Sequence, residues 1–561
     1  MEYNVVDMLA VHGVILFVLL GTGVLVLLNV RWWRAVLQPQ HVIPAFFVMA
    51  FVISLLVNTA MGMAFSFLGV PFGYAVVVLL VVHAVLMIRF WRQRKTVAGL
   101  FRGALTRAVL ALLIWVALMF AFMVSNGGLI DILADSWWHM SLAKKIEFAG
   151  SVFLERHHLT GAAYASPRIA YEPGWHLSLV YVLTMTELPA PLIWHALAPW
   201  CVALTLCAYF LLAERITRNA VVAVFAVILM ALLLGGLNSY FRVSPWPGNV
   251  SYVLWYFLLF VSFRLLEMFA DNRAQSDGPV SELAFVKNAI FDQRVLVLLW
   301  VLCIAAIAAI HIAELLWYAL SILFYGIVLL GLDMGRQKSD TLIMDRALLG
   351  RFVFVLVYAS VILAWLGSGG VYSIIVIFIA VMTLVLLHGQ AYRLGNRQWA
   401  AKLLIWASLI GGFVYLVDID HVAALFYPRP ESSSYYARYI PEWKLGSFGE
   451  YVRVAFWEHQ LRAGLLFSGL TGVAAAVYLF FRRPGRGTGF LFGNAVIPVL
   501  LLTTPYLFSY LFYFMPEHGV YRISLLIFHP ICIAYAVYCL LVDMGILKSY
   551  AGNETHGTIS T

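Results

Sequence analysis

Carboxylates and imidazoles at helical spacing are the first residues able to do chemistry. Asp131, Asp135 and His139 stand in the run Asp-Ile-Leu-Ala-Asp-Ser-Trp-Trp-His. Each follows the last by four positions, which on a helix lines them up along one stripe. Trp137, Trp138 and Met140 would form lipid-facing or cleft walls beside it. A carboxylate in that setting has a raised pKa and can act as a base. The same run also fits an interfacial amphipathic helix with solvated acids and a tryptophan belt. Downstream, Tyr171-Glu172-Pro173-Gly174-Trp175-His176 precedes an apolar run. Pro and Gly suit a tight entry into a helix, with Glu172 and His176 near the surface; simple capping is the alternative. His311 and Glu314 interrupt an apolar stretch from about Val295 to Leu332, long enough for two spans, so they fall at the turn between them. Ionisable residues inside membrane segments are functional candidates by default, although a plain polar turn fits as well. Finally, Glu517, His518, Tyr521 and Arg522 sit at the opening of the last apolar run. There an arginine either grips a phosphate or snorkels to the interface.

These residues need a scaffold, and composition restricts its kind. Of 561 residues, 63% are hydrophobic and only 11% charged, less than half the charge of an ordinary soluble domain. That excludes a soluble enzyme, a disordered chain and a coiled coil. Long apolar runs also exclude an outer-membrane barrel, whose strands alternate. A multi-span helical membrane protein remains, because lipid leaves the backbone no other partner than itself. The net charge of +9 is scattered in short clusters between apolar runs, which marks a cytoplasmic side and does not point to nucleic acid. Cys201, Cys207, Cys303, Cys532 and Cys539 all lie in apolar runs without metal-ligand spacing and read as core residues. The first segment opens on Glu2 and Asp7, unlike a cleavable signal peptide.

The expected fold is an all-α polytopic bundle of about 13–16 transmembrane helices, with short amphipathic helices in outer loops. Residues 1–548 form one transmembrane domain. Leading spans fill 1–125, a first large outer loop 126–175, core spans 176–418, a second outer loop 419–459 and C-terminal spans 460–548; 549–561 is a polar tail. Basic loops after the first and third spans, at Arg336–Arg351, Arg393–Lys402 and Arg482–Arg486, should be cytoplasmic. The Arg264–Arg294 stretch is expected to join them. The Trp175–Thr186 run is short for a span and is expected to be tilted or re-entrant. No Walker A, His-Glu-x-x-His or Gly-x-Ser-x-Gly motif occurs, which argues against nucleotide chemistry, zinc proteolysis and serine hydrolysis.

The order of four short motifs carries a resemblance. Asp135-x-x-x-His139 lies in an outer loop, Tyr171-x-Pro173-Gly174-x-His176 opens the next run, Trp246-Pro247 precedes a later one, and Arg522 stands at the mouth of the last. Together they resemble the GT-C superfamily of polytopic membrane glycosyltransferases. Extra leading spans, about four, precede the acidic loop. The resemblance implies a polyprenyl-phosphate-linked sugar donor, a glycan, lipid or protein acceptor, and transfer on the outer face of a bacterial inner membrane. Asp135 would be the base, with Asp131 second. His139, Tyr171, Glu172, His176, His311, Glu314, Glu517 and Tyr521 would line the site, and Arg522 would meet the phosphate. A divalent cation, Mg2+ or Mn2+, is the one cofactor it admits. Two other readings stand beside it. One is a polymerase or ligase of lipid-linked glycans using His421, Arg429, Arg438 and His459. The other is a flippase, against which the clustering of ionisable residues in outer loops argues.

The charge pattern makes a topological prediction. In intact cells, a membrane-impermeant thiol reagent should label Ser432→Cys and spare Val280→Cys. The reverse pattern would invert the assigned sides.

Overall fold

In an apolar solvent every backbone N–H and C=O must be paired within the chain, and uninterrupted apolar runs do this as helices. The computed structural model describes residues 5–30, 33–34, 37–97, 101–125, 134–169, 173–234, 244–276, 283–311, 313–336, 465–503 and 523–547, and they are mostly helical. Among them, six helices are long and apolar enough to cross a membrane, and six shorter apolar helices accompany them. By length and composition this is an integral membrane protein. The described residues form two compact units. The first holds those up to Arg215 and those between 237 and 323; the second holds those between 216 and 236, between 324 and 353, and from 420 onward.

The first unit begins with α1 (Val5–Leu16), a π-helical turn (Phe17–Gly21) and α2 (Thr22–Asn29), which together form the first spanning rod. The π turn faces His83. The His83 ring stacks on Phe17 at 4.0 Å and lies 3.5 Å from the Thr22 hydroxyl. Then come α3 (Pro39–Phe67), α4 (Phe72–Val97) and α5 (Arg107–Ser125), which lie in the region expected for the leading spans and are each apolar and long enough to cross a membrane. Helices α4 and α5 leave Val77, Leu80, Val81, Ile114, Leu118 and Phe122 exposed, a surface suited to lipid. The five cysteines are buried and free, as their apolar context implies.

The stretch after α5 is not purely helical. It folds as α6 (Ala134–Ala149) and an antiparallel pair, β1 (Phe153–Arg156) and β2 (Ala163–Ile169). The expectation of helices alone in this loop therefore holds only for α6. The ribbon forms because Gly161, at φ +69, turns the chain. The ring Nδ1 of His157 also accepts from the backbone N–H of Leu159 and Thr160 at 3.3 and 3.2 Å. The ribbon is tied to α3 by the Val152 N–H, which donates to Ser66 Oγ at 3.1 Å.

Helix α7 (Pro173–Thr186) is the short run, and its 14 residues are buried on every side from Gly174 to Leu183. A helix apolar all round belongs in an interior, and α7 packs against α1, the π turn, α3, α4, α6 and α11 (Leu283–Ile310). Glycine permits the closest of these approaches. A Cβ at Gly174 would stand 2.6 Å from the Ala309 carbonyl oxygen and 2.8 Å from Thr59 Oγ1. The unit is completed by α8 (Ala190–Thr217, its last two residues in the second unit), α10 (Pro247–Ser276) and the start of α12 (Ala313–Arg336). Helix α10 runs through the first part of the Arg264–Arg294 stretch and α11 through its last part, so a charged segment expected to loop is helical over most of its length. At its start Glu267 meets Arg215 of α8 and lies 3.8 Å from Arg264. Nearby, His41 of α3 pairs with Glu214, which also accepts from Gln40 at 3.1 Å.

The second unit contains α9 (Ala220–Leu234), the remainder of α12, α13 (Leu465–Arg482), α14 (Arg486–Thr503) and α15 (His529–Asp543). Helix α15 packs on α9 and α13. Arg482 grips Asp543 in a two-point fork at 2.9 and 3.0 Å, and Tyr478 donates to the same carboxylate at 3.1 Å.

The packing at Gly174 predicts a large asymmetry between two glycines. Gly174→Ala must push α7 off α11, and overpacking of this kind costs about 1–3 kcal/mol. Gly13→Ala, exposed on α1 with nothing within 4 Å of its Cβ, should be neutral or mildly stabilising. Thermal unfolding in detergent should show a lowered midpoint for the first variant alone.

Candidate functional site

Three chain segments meet at the first turn of α7. Helix α6 starts at Ala134, so the backbone of Asp135 lies in its first turn and His139 follows one turn later. On the opposite wall, Pro173 opens α7 and the close approach at Gly174 sets His176 beside α6. The two imidazoles touch: His139 Nδ1 lies 3.0 Å from His176 Nε2. One ring must present N–H and the other its lone pair. His176 is fully buried.

Aromatic rings enclose the pair. Trp138 meets His139, His158 and His176 edge-on, at centroid separations of 4.9, 4.7 and 6.2 Å. Trp194 of α8 lies parallel to His139 at 6.2 Å. Trp137, its neighbour in sequence, is 55% exposed, whereas Met140 is buried. The two tryptophans therefore do not share one lipid-facing role: Trp138 is a wall of the cluster.

A hydrogen-bonded lattice fixes these walls. Trp246 Nε1 donates to Ser136 Oγ at 2.7 Å, and Trp194 Nε1 donates to Ser244 Oγ at 3.2 Å. The two hydroxyls stand 3.2 Å apart. Trp175 Nε1 donates to the Pro245 carbonyl at 2.9 Å, and Asn249 Nδ2 to that of Ser244 at 2.8 Å. Buried tryptophans need such acceptors: the segment Ser244-Pro245-Trp246 supplies them to α7 and α8, and its own Trp246 finds one in Ser136 of α6.

His311 closes the cluster. It caps α11, and its Nδ1 pairs with the carboxylate of Glu314, which is fully buried in the first turn of α12. An acid there is favoured by the helix dipole.

The environment keeps His139 neutral. Burial and then the positive fields of His176, His311 and His158 push its pKa down from 6.5 to about 2. His158 is lowered to about 4, by burial and by His157.

The other expected site residues fall differently. Of Asp135 only the backbone is described. Asp131, Tyr171, Glu172, Glu517, Tyr521 and Arg522, with the whole 419–459 loop, lie outside the described residues. Sequence reasoning missed Trp194, Ser136 and Ser244. No local spacing marks them, since their partners lie 50 to 110 positions away. Among the described residues, no three His, Cys, Asp or Glu side chains gather so as to hold a metal ion. The described part of the cluster thus does not supply a ligand set for the divalent cation that the resemblance admits.

No protein-family model, curated protein or solved structure matches the chain.

The depressed pKa of His139 gives a signed pH prediction. The unfolded imidazole titrates near 6.5 and the folded one near 2, so the unfolded state takes up more protons between these values. The contribution of neutral His139 is complete above pH 6.5 and drains away as pH falls toward 2. The thermal midpoint should decline on the acid side, and His139→Gln should flatten that decline while lowering the plateau near neutrality.

Proposed function

We propose that the chain is a membrane glycosyltransferase of the GT-C kind. In this reading it moves a sugar from a polyprenyl-phosphate-linked donor to a glycan, lipid or protein acceptor, at the outer face of a bacterial inner membrane. One observation carries the reading: three of the four motifs on which the resemblance rests come together in space. His139 on α6, with the Asp135 backbone one turn before it, His176 on α7 and Trp246 ahead of α10 meet around one cluster, although 37 to 110 positions separate the partners. Random capping motifs would have no reason to converge.

The residues have distinct tasks in this reading. Asp135 accepts the proton of the acceptor hydroxyl as its oxygen bonds to the anomeric carbon, and the lipid phosphate leaves with the electron pair of the broken bond. Tryptophan faces such as those of Trp138 and Trp194 suit the apolar face of a sugar ring. The neutral His139, hydrogen-bonded to His176, can donate to or accept from a sugar hydroxyl without adding charge. Holding the two substrates in one pocket supplies the remainder through orientation.

Reconstituted transfer from a polyprenyl-phosphate sugar tests this. Asp135→Asn keeps the side-chain volume but cannot accept a proton, and the rate should fall about 10²–10⁴-fold. Asp131→Asn should cost less, and His139→Ala should fall between. If all three variants transfer at the wild-type rate, the site is misplaced. If Asp131→Asn or Glu172→Gln is the inactive one, the base moves to that residue.

A further inference from the structure

The imidazoles of the cluster are not equivalent in their surroundings. His139 shares its Nδ1 with another imidazole, sits against two indole rings, and has no carboxylate among its described partners. His311 has its Nδ1 on the carboxylate of Glu314, whose side chain is fully buried, while its own side chain stays 17% exposed. The turn holds this geometry: His311 N–H bonds the Ile307 carbonyl at 2.8 Å, and Glu314 N–H reaches the His311 carbonyl at 3.3 Å. The pair therefore cannot drift apart without unwinding the junction of α11 and α12. A carboxylate on Nδ1 selects the tautomer with hydrogen there and stabilises the imidazolium; the other nitrogen, Nε2, is directed away from Glu314. Environments that push neighbouring titratable groups apart are a signature of divided acid and base roles.

We propose that the cluster divides its labour, with His311 as the cationic hydrogen-bond donor to an anionic oxygen of the substrate, Glu314 as its positioning residue, and His139 with His176 as the uncharged partners of hydroxyl groups. This rests on the proposed function only in taking the cluster as the reaction site. Among the described residues, the titratable groups around His311 are Glu314 on its own turn, His139 on α6 and, through His139, His176 on α7 and His158 beside the ribbon. No proton needs to be transferred by His311: its N–H stays in place while negative charge gathers on the oxygen it meets, so the interaction strengthens as the leaving group departs.

Carbethoxylation of the full-length protein in detergent, read peptide by peptide by mass spectrometry, tests this because only neutral imidazoles react. Between about pH 5 and 8, where ordinary histidines titrate, His311 should become reactive through a clear midpoint, whereas His139 should show none. Glu314→Gln should move the His311 midpoint down by about 1 unit or more, and Glu314→Asp should keep it near wild type. A merely structural carboxylate would not produce that pattern. Polyprenyl phosphate or inorganic phosphate should slow the labelling of His311 several-fold below its midpoint. Protection by the lipid alone identifies a lipid phosphate, and protection by both identifies a free oxyanion. The proposal is overturned by an unreactive His311, by an unchanged midpoint in Glu314→Gln, or by no protection from either phosphate. If Glu314→Gln does not fold, the wild-type comparison decides, and a His311 as flat as His139 overturns it. Sugar transfer is not read in this experiment. A protein that titrates as expected but transfers nothing keeps the dyad and loses the transferase reading; an active transferase with a flat His311 loses the dyad alone.

Discussion

The absence of one methyl group at position 174 governs the first unit. Helix α7 is too short to be an ordinary span and has no face to give to lipid, so it must be enclosed by protein. Enclosure is possible because the first turn can rest against the Ala309 carbonyl and Thr59. The same pattern recurs lower on the helix, where a Cβ at Gly62 of α3 would run into the Leu177 side chain. Small residues that let backbones approach are the usual means of packing helices where lipid offers no hydrophobic drive between them. The histidine cluster follows from this contact, since His176 is two residues from Gly174 and His311 two residues from Ala309.

Polar groups in this interior are handled in two different ways. Around the cluster, apart from the His311–Glu314 pair, neutral donors meet neutral acceptors: indole N–H on serine hydroxyls, imidazole on imidazole. Near the ends of α3, α8 and α10, buried carboxylates are each given a basic partner, Glu214 by His41 and Glu267 by Arg215. Breaking one partner of such a pair leaves a bare charge and is far more costly than losing both. These pairs thus hold three helices in a fixed register. The neutral lattice keeps the walls of the cluster still while leaving its electrostatics open to a substrate.

Much of this was legible in the chain. The four leading helices were delimited by apolar runs and basic ends, and the turn at His311 and Glu314 by the length of the stretch around it. Pro173-Gly174 was readable as a tight helix entry, and the meaning of Gly174 as a close approach became clear only with its neighbour in place. The β-ribbon was not anticipated, because seven- and four-residue strands inside a polar loop carry too little alternation to stand out. Glu214 and Glu267 were likewise invisible as partners: a charge near the end of an apolar run reads as an interface residue until the helix carrying its counter-ion is placed beside it. Long-range pairing has no period, and periodicity is the main signal that sequence offers.

The π turn at Phe17–Gly21 sets the phase of the first rod. Such a turn carries one residue more than an α-helical turn would, so it behaves as an insertion that the fold has absorbed. If the same residues were wound as ordinary α-helix, with no bulge to absorb the extra one, everything before it would be rotated by about 100° relative to α2. Val11 and Ile15, both fully buried, would swing toward the membrane, and His12 would leave the indole of Trp200, from which it now accepts at 3.1 Å. The first helix is therefore keyed to the rest by its count of residues as much as by their kinds, and a frame of one residue separates a matched face from a mismatched one.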